Sequence, residues 1–255
     1  MARPPLPLLA FLLFIPRVAA QSYSAPEPYG GKQAVAWMLE QEQRFPADAL
    51  AAGVNGSVTV TFQVRSDGSS ANARVTLPLD PACDAEALRL VKLIRWKPAS
   101  VGGTPLDHDH SMEILFSAKK YKKLRAKSKP CPSLPAQAVV DPSFDLYADK
   151  EVDTLASPRV PSGLRGLPQY IAGNLIYPPE AFRLDIQGKV SIEFVVETSG
   201  NISNLRTLNF LGGGCDAEAM RLARTLCWVP AIKGGRYVRS IMKLDIQFRL
   251  NPSTR

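Results

Sequence analysis

Histidine is nearly absent from this chain. Its two histidines both sit in Asp107-His108-Asp109-His110, so the C-terminal half has none to serve as a general base. On a strand His108 and His110 would face one side, but two ligands are too few for a structural zinc site. No Gly-Lys-Ser/Thr follows any glycine cluster, which removes the phosphate-cradling loop. Past the N-terminus no run approaches the roughly 20 apolar residues that a membrane span needs. Neither a cofactor nor a metal is expected from what remains.

Cysteine is sparse too: there are four, the first being Cys83. Arg3 opens a Pro- and Leu-rich apolar run from Pro5 to Pro16, and Val18-Ala19-Ala20 supplies a small-residue cleavage site before Gln21. This predicts a cleaved secretory signal over 1–20, no lipidated cysteine near the start, and no transmembrane segment in the mature chain. Export raises the prospect of disulfides. Cys215 and Cys227 bracket a predicted helix, so 12 residues at about 1.5 Å each hold them roughly 18 Å apart, well beyond the roughly 7 Å that a bridge tolerates. For the rest, the sequence leaves open a Cys83–Cys131 bridge or free thiols.

What is present is ordinary globular composition, with 45% hydrophobic and 21% charged residues. The formal charge of +8 permits contact with anionic surfaces without naming one. The dominant feature is a repeat. Cys83-Asp84-Ala85-Glu86-Ala87-Leu88-Arg89-Leu90, then Trp96-Lys97-Pro98-Ala99, returns as Cys215-Asp216-Ala217-Glu218-Ala219-Met220-Arg221-Leu222, then Trp228-Val229-Pro230-Ala231. The offset is 132 residues for both the cysteine and the tryptophan, and it holds without a gap from Pro26/Pro158 to Phe116/Phe248. One fold is written twice, over 26–118 and 158–252.

Within each copy the pattern is helix, strand, strand, helix, strand. Helices are expected over about Gln33–Gln43 and Leu167–Leu175, followed by Phe45-Pro46 or Tyr177-Pro178 opening a short second helical stretch. Val58, Val60, Phe62 and Val64, and their twins Val190, Ile192, Phe194 and Val196, alternate with polar residues as a half-buried strand does. Ser66-Asp67-Gly68 and Ser199-Gly200-Asn201 read as hairpin turns, and Ser203–Leu211 as the next strand. Ala219, Leu222, Ala223 and Leu226 share one helical face, and Asp216 and Glu218 occupy the positive first turn. A long last strand alternates through Val238, Met242, Leu244, Ile246, Phe248 and Leu250. The class is α+β: two tandem small modules, each a three-stranded antiparallel sheet with two helices and one open face. Residues 119–157 between them start with a basic run from Lys119 to Lys129, continue rich in Pro and Ala, and read as a linker with a short ordered piece around Phe144–Tyr147.

The run Tyr177-Pro178, Gly188-Lys189-Val190-Ser191-Ile192-Glu193-Phe194, Gly200, Cys215-Asp216-Ala217-Glu218-Ala219, Trp228-Val229-Pro230-Ala231 resembles the TonB C-terminal domain, in the Bacteroidetes-type form with a Pro/Gly-rich lead-in. The first copy fits the same frame more weakly, with Phe45 for the tyrosine. The resemblance implies a non-catalytic periplasmic module associated with TonB-dependent transport. It would recognise extended, TonB-box-like segments of outer-membrane transporters or other envelope proteins by strand addition to the last-strand edge. Main-chain hydrogen bonds give affinity there and alternate side chains give selectivity. Mapped onto this chain, the partner-binding edge is Val238 to Leu250, with Val238, Arg239, Ile241, Lys243, Asp245 and Gln247 as contacts and Tyr177-Pro178 beside them. The matching outer face of the first copy, Asp107, Asp109, Ser111 and Glu113, is acidic, which predicts a different ligand. The family's energy-coupling members have an uncleaved membrane helix and a long Pro-rich spacer. Here a signal peptide stands instead, which predicts binding without direct transmission of force.

Two other function classes have a feature each in the sequence. The Lys119–Lys129 run suggests an envelope scaffold that binds peptidoglycan or another anionic surface. Cys83 and Cys215 at helix starts suggest a thiol nucleophile. However, Asp216 and Glu218 oppose a thiolate there, and the twin positions read as scaffold.

Overall fold

The computed structural model describes residues 22–127 and 130–250. The expected signal segment at 1–20 and the last residues of the second copy lie outside them. The first module runs α1 (Gly31–Glu42), α2 (Ala47–Ala51), β1 (Asn55–Val64), β2 (Ser70–Leu77), α3 (Pro81–Leu93) and β3 (His108–Ser117), with sheet order β2-β1-β3, all antiparallel. Helix α4 (Ala118–Lys127) and a two-residue strand β4 (Leu146–Tyr147) lie between the modules. The second module repeats the plan as α5 (Leu167–Asn174), α6 (Pro179–Arg183), β5 (Gly188–Val196), β6 (Ile202–Thr207), α7 (Cys215–Arg224), β7 (Ala231–Lys233) and β8 (Arg236–Phe248). Its sheet order is β6-β5-β8-β7. The architecture is α+β in two tandem copies. Among the described residues no helix is long and apolar enough to cross a membrane.

The alternating residues do what their period dictates. Val58, Val60, Phe62 and Val64, and Val190, Ile192, Phe194 and Val196, are all buried under α3 and α7 respectively. Full burial of such a side chain contributes about 1.5–3 kcal/mol. Phe62 packs on Trp96 with ring centroids 5.5 Å apart, and Phe194 on Trp228 at 5.3 Å. The tryptophans are in turn fastened to the hairpin turns: Trp96 N–H donates to Gly68 O (3.0 Å) and Trp228 N–H to Gly200 O (2.9 Å). Both glycines have positive φ, and a Cβ on either would lie under 3 Å from the same tryptophan's carbonyl oxygen, so only glycine fits.

The repeated Cys-Asp-x-Glu-x-x-Arg motif is a set of tethers. Asp84 accepts from Leu79 N–H (3.0 Å) and Asp216 from Leu211 N–H (3.0 Å), each fastening the loop before its own helix. Glu86 accepts from Arg44 N–H (2.7 Å) and Glu218 from Ile176 N–H (2.7 Å). Arg89 and Arg221 pair with those glutamates and reach the Glu42 and Asn174 carbonyls (2.6 and 2.9 Å) at the ends of α1 and α5. A cation at a helix C-terminus answers orphan carbonyls and the dipole together. The motif therefore ties one helix to the end of another.

Three expectations need correction. The second strand ends at Thr207 rather than Leu211: the side chain of Asn209, not its backbone, takes the Ser191 N–H (2.7 Å), which ends the ladder. The basic stretch after the first module begins as helix α4, where Arg125 bonds the Gln41 and Gln43 carbonyls (3.2 and 3.0 Å) at the end of α1. The bridge is Cys131–Cys227, with Cα atoms 5.4 Å apart, not Cys83–Cys131. Cys83 and Cys215 are buried free thiols.

Candidate functional site

The expected docking edge is β8, and its backbone polarity follows from its register with β5. Ser191 stands opposite Asp245. Ser191 accepts from Leu208 N–H (2.8 Å) and donates to Asn209 Oδ1 (2.7 Å), so both its backbone groups turn away from β8. Opposed residues in an antiparallel pair exchange both bonds or neither. The N–H and C=O of Asp245 therefore point outward, and by the period of two so do those of Tyr237, Arg239, Ile241, Lys243 and Gln247.

The first part of this outward edge is occupied by the chain itself. Tyr237 donates to Val139 O (2.8 Å) and accepts from Asp141 N–H (2.9 Å), and β4 runs parallel against Arg239–Ser240. Beyond Ser240 no strand among the described residues pairs with β8 on that side. Side chains of the open part fold back across the sheet. Asp245 is held by Lys189 Nζ (2.8 Å) and Ser191 Oγ (2.6 Å), whose hydrogen bonds keep its carboxyl below the usual range. Lys243 approaches Glu193 (3.9 Å), and Gln247 Nε2 donates to Gly188 O (3.0 Å). Lys243, Asp245 and Gln247 are exposed and Ile241 is half-buried.

The remaining expected contacts lie elsewhere. Val238 is buried in the core and pairs with Ala231. Arg239, expected on the outer face, is 5% exposed. It forms a two-armed ion pair with Glu197 (2.7 and 2.9 Å) and donates to Phe144 O (2.9 Å) and Leu93 O (3.0 Å). Tyr177 and Pro178 stand at the far end of β8. The Tyr177 ring meets Phe248 edge-on at 5.9 Å, its hydroxyl donates to Ile186 O (2.6 Å), and Pro178 packs on Gly214.

The buried polar network around Arg239 is the junction between the modules, and sequence reasoning missed it. Glu197 also accepts from Ser203 Oγ; Asn204 Nδ2 donates to Ser203 Oγ (2.7 Å) and to Leu93 O (2.9 Å), while Arg95 N–H donates to Asn204 Oδ1 (2.7 Å). The end of α3 in the first module is thus satisfied by side chains of the second. Close by, Glu42 accepts from Ser199 Oγ (2.5 Å) and Asn201 Nδ2 (2.8 Å), and Arg206 lies 3.9 Å above the Tyr29 ring. A signal for this network was present in the repeat. At offset 132, Glu197 stands on Arg65 and Arg239 on Asp107, a paired charge reversal at one cross-strand position.

Burial, followed by the nearby Glu197 charge, raises the Glu42 carboxyl above its ordinary 4.5, against the lowering effect of Ser199, Asn201 and Arg89. A raised carboxyl means that the folded state holds its proton more tightly than the unfolded one. Its contribution is present below 4.5 and is lost as pH rises through the raised value. The urea midpoint of the wild type is therefore expected to fall over that window relative to Glu42→Gln, which keeps the acceptor and removes the titration. Parallel pH profiles for the two proteins would contradict this assignment.

The first-module edge differs. Gln43 Nε2 donates to Leu115 O (2.9 Å), and Asp107 accepts from Ser66 N–H (2.8 Å). A cavity of about 530 Å³ lies beside β3, lined by Val35 and Leu39 of α1 with Trp96, His110 and Met112. The His110 ring sits 4.8 Å from Trp96 and 5.6 Å from Phe62, and burial lowers its pKa. Burial pushes the Cys83 thiol up to about 11 and raises that of Cys215, with neighbouring aspartates adding to both shifts. Both thiols are therefore held protonated, the opposite of what a nucleophile needs.

Residues 41–118 and 173–250 each match the family described as Gram-negative bacterial TonB protein C-terminal. No curated protein sequence matches the chain. Among solved structures, the chain is similar to the solution structure of the TonB C-terminal domain of Helicobacter pylori, at 20% identity over 33% of this chain and 78% of that one, with a TM-score of 0.26.

Proposed function

The chain belongs to the family of the Gram-negative bacterial TonB protein C-terminal domain, in two copies, and from that premise we propose that it is a non-catalytic periplasmic binding protein. Its second module takes up extended segments of outer-membrane transporters or other envelope proteins by adding them as a strand to β8. The observation that carries this reading is the outward-facing, unpaired backbone of β8 past Ile241, in line with an edge that already holds a strand. From Met242 to Phe248 the open edge is seven residues, about 23 Å of strand. That length is enough for several main-chain bonds and for alternate side-chain contacts to Lys243, Asp245 and Gln247.

Titration of the intact protein with a TonB-box peptide, followed by backbone NMR, tests it. Shifts are expected along Ile241–Phe248, and their absence at millimolar peptide would rule the reading out. Lys243→Pro sharpens the experiment. Because its N–H faces the open edge, proline there removes a docking donor without removing a β5–β8 bond. The variant is expected to bind at least about tenfold more weakly, the loss of a hydrogen bond worth about 1.4 kcal/mol, while its urea midpoint stays close to that of the wild type.

A second reading has one observation in its favour. Lys119, Lys122, Lys123 and Lys127 are all exposed on α4, a basic surface suited to peptidoglycan or another anionic partner.

A further inference from the structure

We propose that residues 139–147 are a built-in strand ligand of the second module, competing with any external segment that extends onto the first part of the β8 edge. This proposal deepens the docking reading above and rests on it for the identity of the external competitor. The contact is itself a strand addition. Tyr237 donates to Val139 O and accepts from Asp141 N–H, and Leu146–Tyr147 continues along the same edge in parallel register with Arg239–Ser240. Since the Arg239 backbone groups face outward, this register gives Tyr147 N–H to the Arg239 carbonyl.

Side chains anchor the segment as they would a partner. The Tyr147 ring packs against the second core with Lys233 Nζ 3.9 Å from its centroid. The Phe144 carbonyl takes the Arg239 guanidinium, and the Phe144 ring packs against the first core with Lys92 Nζ 5.2 Å above it. The segment is also held at both ends. Cys131 bonds it covalently to Cys227 upstream, and Asp153 N–H donates to Ile232 O (2.8 Å) downstream. A segment tethered this way meets its edge at an effective concentration in the millimolar range. An external strand of equal intrinsic affinity therefore loses wherever the two overlap.

The sequence Val139-Val140-Asp141-Pro142-Ser143-Phe144-Asp145-Leu146-Tyr147 also describes the competing partner. It is an extended segment running parallel to β8, acidic and apolar by turns, with an aromatic residue for the place that Tyr147 fills.

Two variants test this in the full-length, disulfide-bonded protein. Asp141→Pro removes the donor to Tyr237 O, together with the carboxylate that accepts from Ser143 N–H (2.9 Å), while leaving the Phe144 and Tyr147 anchors in place. Asp141→Pro with Tyr147→Pro removes both backbone donors and the anchor. The first probe is a synthetic peptide spanning residues 139–147, titrated by NMR; the second is a TonB-box peptide. The expected result is that the double variant binds the 139–147 peptide at least about tenfold more tightly than the wild type, with Asp141→Pro between them. Hydrogen exchange at the outward-facing Arg239 and Ile241 amides is expected to quicken in the variants, while the inward-facing Met242 amide is unchanged.

Equal binding of the 139–147 peptide by all three proteins, or unchanged exchange at Arg239, would overturn the proposal. The two readings separate cleanly. If the 139–147 peptide binds only the variants and the TonB-box peptide binds none, the internal ligand stands and the transporter reading falls. If the 139–147 peptide binds all three equally while the TonB-box peptide shifts Ile241–Phe248 in each, the reverse holds.

Discussion

Replacing Cys131 and Cys227 by serine is expected to lower the stability of the second module by about 4 kcal/mol. The bridge closes a loop of 96 residues. Cross-linking a chain over that span removes denatured-state entropy worth about 4.7 kcal/mol at 25 °C, before any native strain is subtracted. Both cysteines are only half-buried, so serine introduces no buried orphan hydroxyl and the loss reports the cross-link itself. The loss is expected in the second module because the bridge joins the linker to the residue that follows α7. The first module holds only the free thiol Cys83 and is expected to feel the loss only through the junction. Urea denaturation followed by tryptophan fluorescence in a Trp37→Phe background resolves the two, since Trp37 packs across the modules and Trp96 and Trp228 are then separate core reporters. Dithiothreitol should reproduce the loss in the wild type and leave the double serine protein unaffected. A wild-type midpoint insensitive to reductant would show that the loop is held by its packing alone.

The same bridge shows how far the sequence could be read. Helix length correctly separates Cys215 from Cys227, because a helix has a fixed rise and converts residue number into distance. No such ruler exists for the linker, so nothing in the composition of residues 119–157 placed Cys131 beside Cys227. The repeated elements were legible for the same reason that Cys215–Cys227 was. Alternation in Val190 to Val196 and the 3.6-residue spacing of Ala219, Leu222, Ala223 and Leu226 each encode one buried face. The proposed docking edge was legible only through the family. Which part of it is open depends on β4, a pairing of two residues from a Pro- and Ala-rich stretch that no periodicity marks. Arg239 was misplaced by the period itself. Alternation puts it on the same side as Ile241 and Lys243, which it is, but the first module covers that side at this one point.

Arg239→Ala is expected to cost about 3–5 kcal/mol, the range for breaking a buried ion pair by removing one partner. The physical reason is what stays behind. Glu197 is 2% exposed, and without the guanidinium its carboxylate keeps only the Ser203 hydroxyl among the partners described above. The carbonyls of Leu93 and Phe144 lose a charged donor at the same time. Arg239→Lys is expected to fall between, because an ammonium supplies no planar fork for two carboxylate oxygens and two further acceptors. Removing both charges, as Glu197→Gln with Arg239→Met, is expected to recover much of the loss, since desolvating the pair offsets most of its mutual attraction. The four proteins form a double-mutant cycle in urea, and a coupling well above 1 kcal/mol is the expected sign of a direct, desolvated pair. Additive losses would mean that the two side chains act independently. Because the guanidinium touches the first module through Leu93, the second through Glu197 and the linker through Phe144, Arg239→Ala should also quicken hydrogen exchange along β4. Junction and proposed docking edge are therefore coupled through one side chain. Any external strand that displaces the linker from β8 also removes one of the acceptors that hold the two modules together.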